Sequence, residues 1–269
     1  MRIIILFCLL SACLFSCRET IEENFQKRAQ LVFKPKFDGL DAFLNYQEKI
    51  EQRKDLQTLP SLLFTHKTGF TLQSKVFLNS SGEILKAIQE RIDTNGVKVS
   101  TTFYFLKEVL SMVQVDQENL RLSRLEHHQT RVFYDADQRP IAAYNRKLVN
   151  GDQSSVFKRA SLSKSQHAAI QNDLNALSDM QNQEGAFALY FQGFDEAFNK
   201  KFVQFGNAAY STNLAYAPND TSIIAFERNL INKTFLQQVY TIQFQDVQEA
   251  SGLQYQVLTA IQKANETLY

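Results

Sequence analysis

DTNGVKVSTTFYF, residues 93–105, joins a hairpin turn to a run of β-branched and aromatic residues. The Asn95-Gly96 pair tolerates the positive φ angles of a type I′ turn. Valine, threonine, phenylalanine and tyrosine favour extended backbone. Similar segments occur at 70–78, 109–115, 131–134 and 141–144. We therefore predict an antiparallel meander of about six strands between residues 70 and 148.

The segment at residues 83–92 fits two kinds of structure. Ile84, Ile88 and Ile92 recur at a spacing of four, which suits a helix as well as a strand. Turn residues on both sides and the short length of the segment favour a strand, so we place it within the meander.

Helical periodicity dominates before the meander and again after it. Residues 19–59 contain two such patterns, one starting after a possible N-cap at Thr20 and one starting near Asp38 and ending at Leu59-Pro60. A third helix is predicted from Leu162 to Met180, with Ser161 or Ser163 as its cap. Its apolar stripe consists of Ile170, Leu174, Leu177 and Met180.

A second β-rich region follows this helix. Its apolar and aromatic segments are 187–191, 202–205, 210–216, 223–226, 235–244 and 253–261. The predicted fold class is α+β, with two antiparallel β-rich modules, each a meander or a small barrel, together with N-terminal helices and a linking helix. The predicted boundaries are 1–16 for a signal peptide, 17–60 for a lipidated N-terminus and helical segment, 61–150 for the meander module, 151–182 for a linker and helix, and 183–269 for the C-terminal β module.

The first 17 residues indicate export and anchoring. Arg2 precedes an apolar run from Ile3 to Phe15, which is too short to span a membrane and is typical of a secretory signal peptide. Leu14-Phe15-Ser16-Cys17 resembles a bacterial lipobox, which implies lipidation of the Cys17 thiol. Leu10-Ser11-Ala12-Cys13 is an alternative lipobox, but cleavage there would leave Leu14 and Phe15 on the mature chain.

The residues after Cys17 bear on location. Arg18 resembles the outer-membrane sorting pattern of Gram-negative lipoproteins, and the charged stretch at 18–23 is similar to the surface signal of Bacteroidota lipoproteins. The strands at 102–105 and 131–135 also look like those of uncharacterised Bacteroidota lipoproteins. The resemblance implies an outer-membrane lipoprotein that faces the periplasm or the outside and is anchored in the membrane by its N-terminal lipid.

Composition limits what the mature chain can do. All three cysteines lie in the first 17 residues, so a chain cut at Cys17 has no disulfide, no cysteine-ligated zinc and no cysteine nucleophile. Without Arg2 it has 28 basic and 28 acidic residues, since the full chain has 29 and 28. A chain with this charge balance lacks the basic surface that nucleic-acid binding requires.

No catalytic or metal motif is present, and no cofactor is predicted. His127 and His128 are adjacent, and adjacent strand residues point to opposite faces, so the two cannot chelate one metal ion. Asp135-x-Asp137 lacks the glycine and glutamate of a calcium loop and is interpreted as a turn. A carboxylate pair assembled by the fold, such as Asp195 with Glu227, stays open as the basis of an enzyme.

The C-terminus carries one further pattern. Ser251-Gly252-Leu253-Gln254-Tyr255, followed by 263–268, resembles the end of membrane-bound C-type lysozyme inhibitors. The resemblance implies contact with lysozyme by Ser251 and Lys263, with Tyr255 on the adjoining strand. The chain departs from that family in having no tryptophan, an alanine at 264 and a shorter gap between the two motifs.

These observations predict a lipid-anchored envelope lipoprotein that is not an enzyme and binds a protein or glycan partner. The alternative is lysozyme inhibition by the C-terminal module, with Ser251, Tyr255 and Lys263 as candidate partner-binding residues.

Overall fold

The computed structural model describes residues 40–120, 126–149, 156–217, 219–220, 223–226 and 238–264. The signal peptide, Cys13, Cys17 and the helical pattern before residue 40 lie outside these residues. Among the helices described, none has the length and apolar character that a membrane span needs.

Two long helices accompany an extended, mostly antiparallel sheet. The helices are α1 (Leu40–Glu51) and α2 (Lys164–Asn182). The strands are β1 (Gln57–Pro60), β2 (Phe64–His66), β3 (Thr71–Leu78), β4 (Ile84–Ile92), β5 (Val97–Leu106), β6 (Val109–Asn119), β7 (Glu126–Tyr134), β8 (Pro140–Val149), β9 (Lys158–Ala160), β10 (Leu189–Ala197), β11 (Lys200–Gly206), β12 (Tyr210–Tyr216), β13 (Val239–Gln248) and β14 (Gln254–Lys263).

The predicted meander is present as β3 to β8, each strand antiparallel to the next. Its second strand, β4, covers the ambiguous isoleucine segment, which is therefore a strand. The turn before β5 differs from the type I′ prediction, because Gly96 has φ 76° whereas Asn95 does not have a positive φ. The Asp93 carboxylate accepts hydrogen bonds from the Asn95 and Val97 amides at 2.9 and 2.8 Å and holds this alternative turn.

The two helices cover opposite faces of the meander. Phe43 and Ile50 of α1 pack on one face, and Ile170 and Leu177 of α2 pack on the other. Because side chains alternate along a strand, each face has its own apolar set. The set under α1 contains Leu85, Tyr104, Met112 and Phe133, and the set under α2 contains Val76, Ala87, Phe103, Val113 and Val132.

Helix α2 begins where the sequence predicts. Ser163 is its N-cap, and a reciprocal pair of hydrogen bonds with Gln166 forms a capping box. The N-terminal helical segment is shorter than predicted, because α1 ends at Glu51 rather than near residue 59. Residues 57–60 form β1 instead and pair with β3, with Pro60 at the end of the strand where a missing amide is tolerated.

The C-terminal strands close into a five-stranded barrel. The order around it is β10-β11-β12-β14-β13 and back to β10, with β12 and β14 parallel. Residues 223–226, predicted as a strand, are helical, and Ile223 and Phe226 are buried in the barrel core. A spacing of three puts these two side chains on one side of a helical turn. The helical residues 223–226 therefore lie between the third and fourth strands of this barrel.

The meander and the barrel are not separate sheets. Strand β2 pairs with β3 of the meander and with β12 of the barrel, so one sheet runs through both. Leu62 and Phe64, fully buried, belong to the core of the barrel although they precede the meander. Gln256 of β14 strengthens this junction, since its side chain accepts from the Leu63 amide at 2.7 Å and donates to the Ser61 carbonyl at 3.2 Å.

Candidate functional site

An exposed aromatic residue occupies the hairpin tip between β10 and β11. Phe198 and Asn199 form this turn with φ 52° and 57°. Asparagine adopts such angles readily, whereas a bulky residue there is an outlier. The Phe198 side chain is nonetheless 77% exposed. A strained, exposed phenylalanine at a loop tip has no role in the core and is a candidate contact for a partner.

The hairpin between β13 and β14 lies beside this tip. The Lys200 ammonium, two residues after Phe198, pairs with the Glu249 carboxylate at 2.7 Å and lies 4.8 Å from the centre of the Tyr255 ring. Glu249 also accepts hydrogen bonds from the hydroxyls of Ser251 and Tyr255, at 3.3 and 3.1 Å. We call the five residues Phe198, Lys200, Glu249, Ser251 and Tyr255 the loop face.

The charges of the loop face are fixed by these contacts. The hydrogen bond from Lys200, with a further one from Tyr255, lowers the pKa of Glu249. The same bond to Glu249 raises the pKa of Lys200. Both groups therefore stay ionised at neutral pH, and the surface presents a carboxylate, an ammonium and two hydroxyls next to an aromatic ring.

A second aromatic side chain, Phe194, connects the barrel interior to solvent. Phe194 of β10 is 41% exposed, and its ring centre lies 5.8 Å from that of Tyr216 and 5.2 Å from that of Phe191. Phe191 packs in turn against the buried Phe205 and Phe226. Apolar surface thus continues from the core to solvent at this end of β10.

The candidate residues from the sequence fall in two places. Ser251 and Tyr255 come together around Glu249 in the loop face. Lys263 lies at the opposite end of β14, about 26 Å from Tyr255 at a rise of ~3.3 Å per residue. It lines a cavity of about 700 Å³ with Gln183 and Gln238. The structure therefore does not bring Lys263 into the same site as Ser251.

Phe198, Lys200 and Glu249 were not identified from the sequence. They belong to two hairpins separated by about fifty residues, so no local spacing relates them. The available signal was the Phe198-Asn199 pair between two strands, because asparagine at such a position indicates a tight turn with an exposed neighbour.

The residues considered for metal or acid–base chemistry are dispersed. His127 contacts the Asp116 carboxylate at 2.9 Å, whereas the adjacent His128 is exposed. Asp195 is exposed on β10, and Glu227 lies outside the described residues. Within the described ranges, no group of three or more histidine, cysteine, aspartate or glutamate side chains could hold a metal ion.

Comparisons with protein-family models, with curated proteins and with solved structures give no match to this chain.

Proposed function

We propose that this protein is a lipid-anchored lipoprotein of the cell envelope that binds an oligosaccharide through the loop face of its C-terminal barrel, without catalysing a reaction. The observation that carries the proposal is Phe198, held in a left-handed conformation and exposed at the tip of a loop. Such backbone strain persists where the surrounding structure imposes it, and it is common at ligand contacts.

The chemistry of the loop face favours a glycan over a nucleic acid. The five-stranded barrel resembles an OB-fold. OB-fold barrels bind oligonucleotides and oligosaccharides at their strand 1–2 and strand 4–5 loops, which would correspond here to the tips at Phe198 and Glu249. An oligonucleotide needs several unpaired cations, but Lys200 is paired with Glu249, and the mature chain is balanced in charge. An aromatic ring beside carboxylate, ammonium and hydroxyl groups offers a stacking surface and hydrogen-bond partners for sugar hydroxyls.

Replacing Phe198 with asparagine tests this proposal. Asparagine favours the left-handed conformation of this turn, so the melting temperature of Phe198→Asn should equal or exceed that of the wild type. Loss of the aromatic contact should weaken binding to retained glycans at least about tenfold, as expected for a central aromatic contact. The measurement is binding of the full-length protein in detergent to an array of bacterial and host oligosaccharides.

Val156→Asn provides the matched control, because Val156 is 76% exposed and belongs to the segment before β9, in the other half of the molecule. This variant should bind like the wild type. Equal retention of wild type and Phe198→Asn on every glycan would contradict the proposal. If the protein bound a protein partner and no glycan, the ligand of the loop face would be a protein and not an oligosaccharide.

Lysozyme inhibition is the second candidate, and it is supported by the exposed position of Ser251 on the loop face. A C-type lysozyme assayed with the full-length protein should then lose activity, and Ser251→Trp should restore it. Because Lys263 lies at the far end of β14, Lys263→Ala should leave inhibition unchanged if the loop face is the contact. Full lysozyme activity in the presence of the wild type would exclude this function.

The membrane anchor is tested separately. Replacing Cys17 with alanine should move the protein from the membrane fraction to the aqueous fraction, because several acyl chains at ~0.8 kcal/mol per buried methylene make lipid anchoring effectively permanent. Cys13→Ala is the matched control and should remain in the membrane. The reverse result would assign the lipid to Cys13, and membrane retention of the doubly substituted protein would rule out an anchor at either cysteine.

A further inference from the structure

A cavity of about 480 Å³ lies between α2 and the inner face of the meander. Small-molecule sites commonly have volumes of ~300–1,000 Å³ and combine apolar walls with a few polar groups. Its lining comes from α2, Leu162 and strands β3 to β7, and includes no residue of the loop face. We call it the α2 cavity.

The cavity arises from the pattern of side chains across the sheet. Side chains two residues apart on a strand share a face, so the cross-strand rows under α2 can be followed in register. The first row is apolar and packs against α2, namely Val76, Ala87, Phe103, Val113 and Val132. The next row is mixed, with Ser74, Gln89, Thr101, Val115 and Thr130, and the third contains Leu72, Arg91, Val99 and Gln117. The cavity is lined by residues of the second and third rows.

Gln89 lines this cavity and carries a buried acceptor without a partner in the described ranges. Its side chain is only 4% exposed, and its Oε1 has no hydrogen-bond partner among the described residues. Its Nε2 makes one long contact, 3.9 Å, with the Met180 sulfur. A buried amide oxygen without a donor is costly, and such groups in folded proteins call for an explanation such as a ligand.

Asp173 of α2 adds a carboxylate next to this acceptor. Its Oδ2 lies 3.5 Å from the hydroxyl of Thr101, the cross-strand neighbour of Gln89. Burial raises the pKa of Asp173, and Arg91 together with the Thr101 hydrogen bond lowers it in part. The Tyr210 phenol also lies within electrostatic range of both Asp173 and Arg91. The carboxylate is thus partly desolvated without a direct cationic partner in the described part of the chain.

Arg91 supplies the opposite charge on the same lining. It follows Gln89 by two residues on β4, a separation of about 7 Å along the strand. Its guanidinium lies 5.7 Å from the centre of the Phe70 ring, and no ion pair within the described residues joins it to Asp173. One cavity therefore holds a cation and an anion that act on each other only at a distance.

We propose that the α2 cavity binds a small zwitterion, an α-amino acid with an apolar side chain. The ammonium pairs with Asp173, and it donates a hydrogen bond to the Gln89 Oε1 as a second partner once that side chain turns toward the cavity; the carboxylate pairs with Arg91. Leu72, Val99, Val115 and Leu162 provide apolar walls for the side chain. Gln89 and Arg91 are about 7 Å apart along β4. This span fits a ligand in which one carbon carries both the ammonium and the carboxylate, and in which each group makes one hydrogen bond to the protein.

The test uses the full-length protein in detergent with L-leucine, L-valine and L-phenylalanine as probes, followed by isothermal calorimetry. Two truncated probes complete the set, namely 3-methylbutylamine without the carboxylate and 4-methylpentanoate without the ammonium. At least one amino acid should bind. The truncated probes should bind at least about tenfold more weakly than leucine, because each lacks one charge-assisted contact.

Two variants separate the two ends of the site. Asp173→Asn should weaken leucine binding about ten- to hundredfold and leave 4-methylpentanoate unchanged, whereas Arg91→Gln should weaken leucine similarly and leave 3-methylbutylamine unchanged. Both should fold, since Asp173→Asn removes a half-buried charge and residue 91 is exposed. Asp137→Asn and Arg139→Gln, in the exposed turn before β8, are the matched controls and should bind like the wild type.

Three results would overturn the proposal. They are no binding by any of the three amino acids, equal binding of leucine and either truncated probe, and unchanged leucine affinity in Asp173→Asn. The proposal is independent of glycan binding at the loop face, and Phe198→Asn should not alter it.

Discussion

Replacing Gly206 with alanine is expected to lower the free energy of unfolding by about 3 kcal/mol. Gly206 ends β11, and the chain turns at once into β12. A Cβ at this position would lie 2.2 Å from the Tyr210 carbonyl oxygen and 2.6 Å from the Ser211 Cα. These are backbone atoms of the paired strand, so neither can move away without disrupting the hairpin at the centre of the barrel. Denaturant unfolding of the purified protein gives the measurement.

Gly193→Ala is the matched control for this substitution. Gly193 also lies in a barrel strand, at the register shift in β10, but a Cβ there would meet no atom within 4 Å. Its effect should stay within about 0.5 kcal/mol. If Gly206→Ala and Gly193→Ala lowered the free energy of unfolding equally, the close approach of β11 and β12 at Gly206 would not be the cause of the destabilisation.

The parts of the fold that follow from local chemistry were predictable. Asp93, Asn95 and Gly96 mark a turn, and alternating β-branched and aromatic residues mark the strands on either side, so the six-stranded meander could be predicted. The helix from 164 to 182 was identifiable because Ser163 and Gln166 form a capping box and Ile170, Leu177 and Met180 lie on one face.

The parts that depend on distant contacts were not predictable. Closure of the barrel requires β10 to meet β13 and β12 to meet β14, pairings that join residues tens of positions apart. Burial of Phe64 in the barrel core depends on β12 pairing with β2. Residues 223–226 have a composition that suits a strand. A helix is favoured because it lets Ile223 and Phe226 pack together in the barrel core. Local pattern carries no information on such contacts.

The candidate sites could not be predicted from the sequence for the same reason, because distant contacts assemble them. Ser251 and Tyr255 stood out through a resemblance, but the partner they share, Glu249, is fixed to Lys200 of another hairpin. In the α2 cavity, Gln89 and Thr101 look like ordinary polar strand residues. Their burial and their closeness to Asp173 follow from the path of α2 across the sheet. The candidate sites of this protein therefore depend on tertiary structure rather than on any motif.

Replacing Gln183 with alanine is expected to lower the free energy of unfolding by about 3 kcal/mol, or the melting temperature by roughly 6–12 °C. Gln183 caps the C-terminal end of α2, and its side chain acts as a substitute peptide group. Its Nε2 donates to the Ile242 carbonyl, and its Oε1 accepts from the Ile242 amide, both at 2.7 Å. Ile242 is 2% exposed, so removal of the side chain leaves a buried donor and a buried acceptor unsatisfied.

The alanine substitution isolates this pair of hydrogen bonds. Gln183 has φ 56°, and alanine, like glutamine, carries a Cβ, so the backbone strain is the same in both proteins. Gln243→Ala, on the exposed side of β13 next to Ile242, is the matched control and should change stability by less than about 0.5 kcal/mol. Amide hydrogen exchange should quicken at Ile242 in Gln183→Ala, because this amide loses its acceptor. Unchanged protection of Ile242, or an equal loss of stability in the control, would show that Gln183 does not join the helix to the barrel.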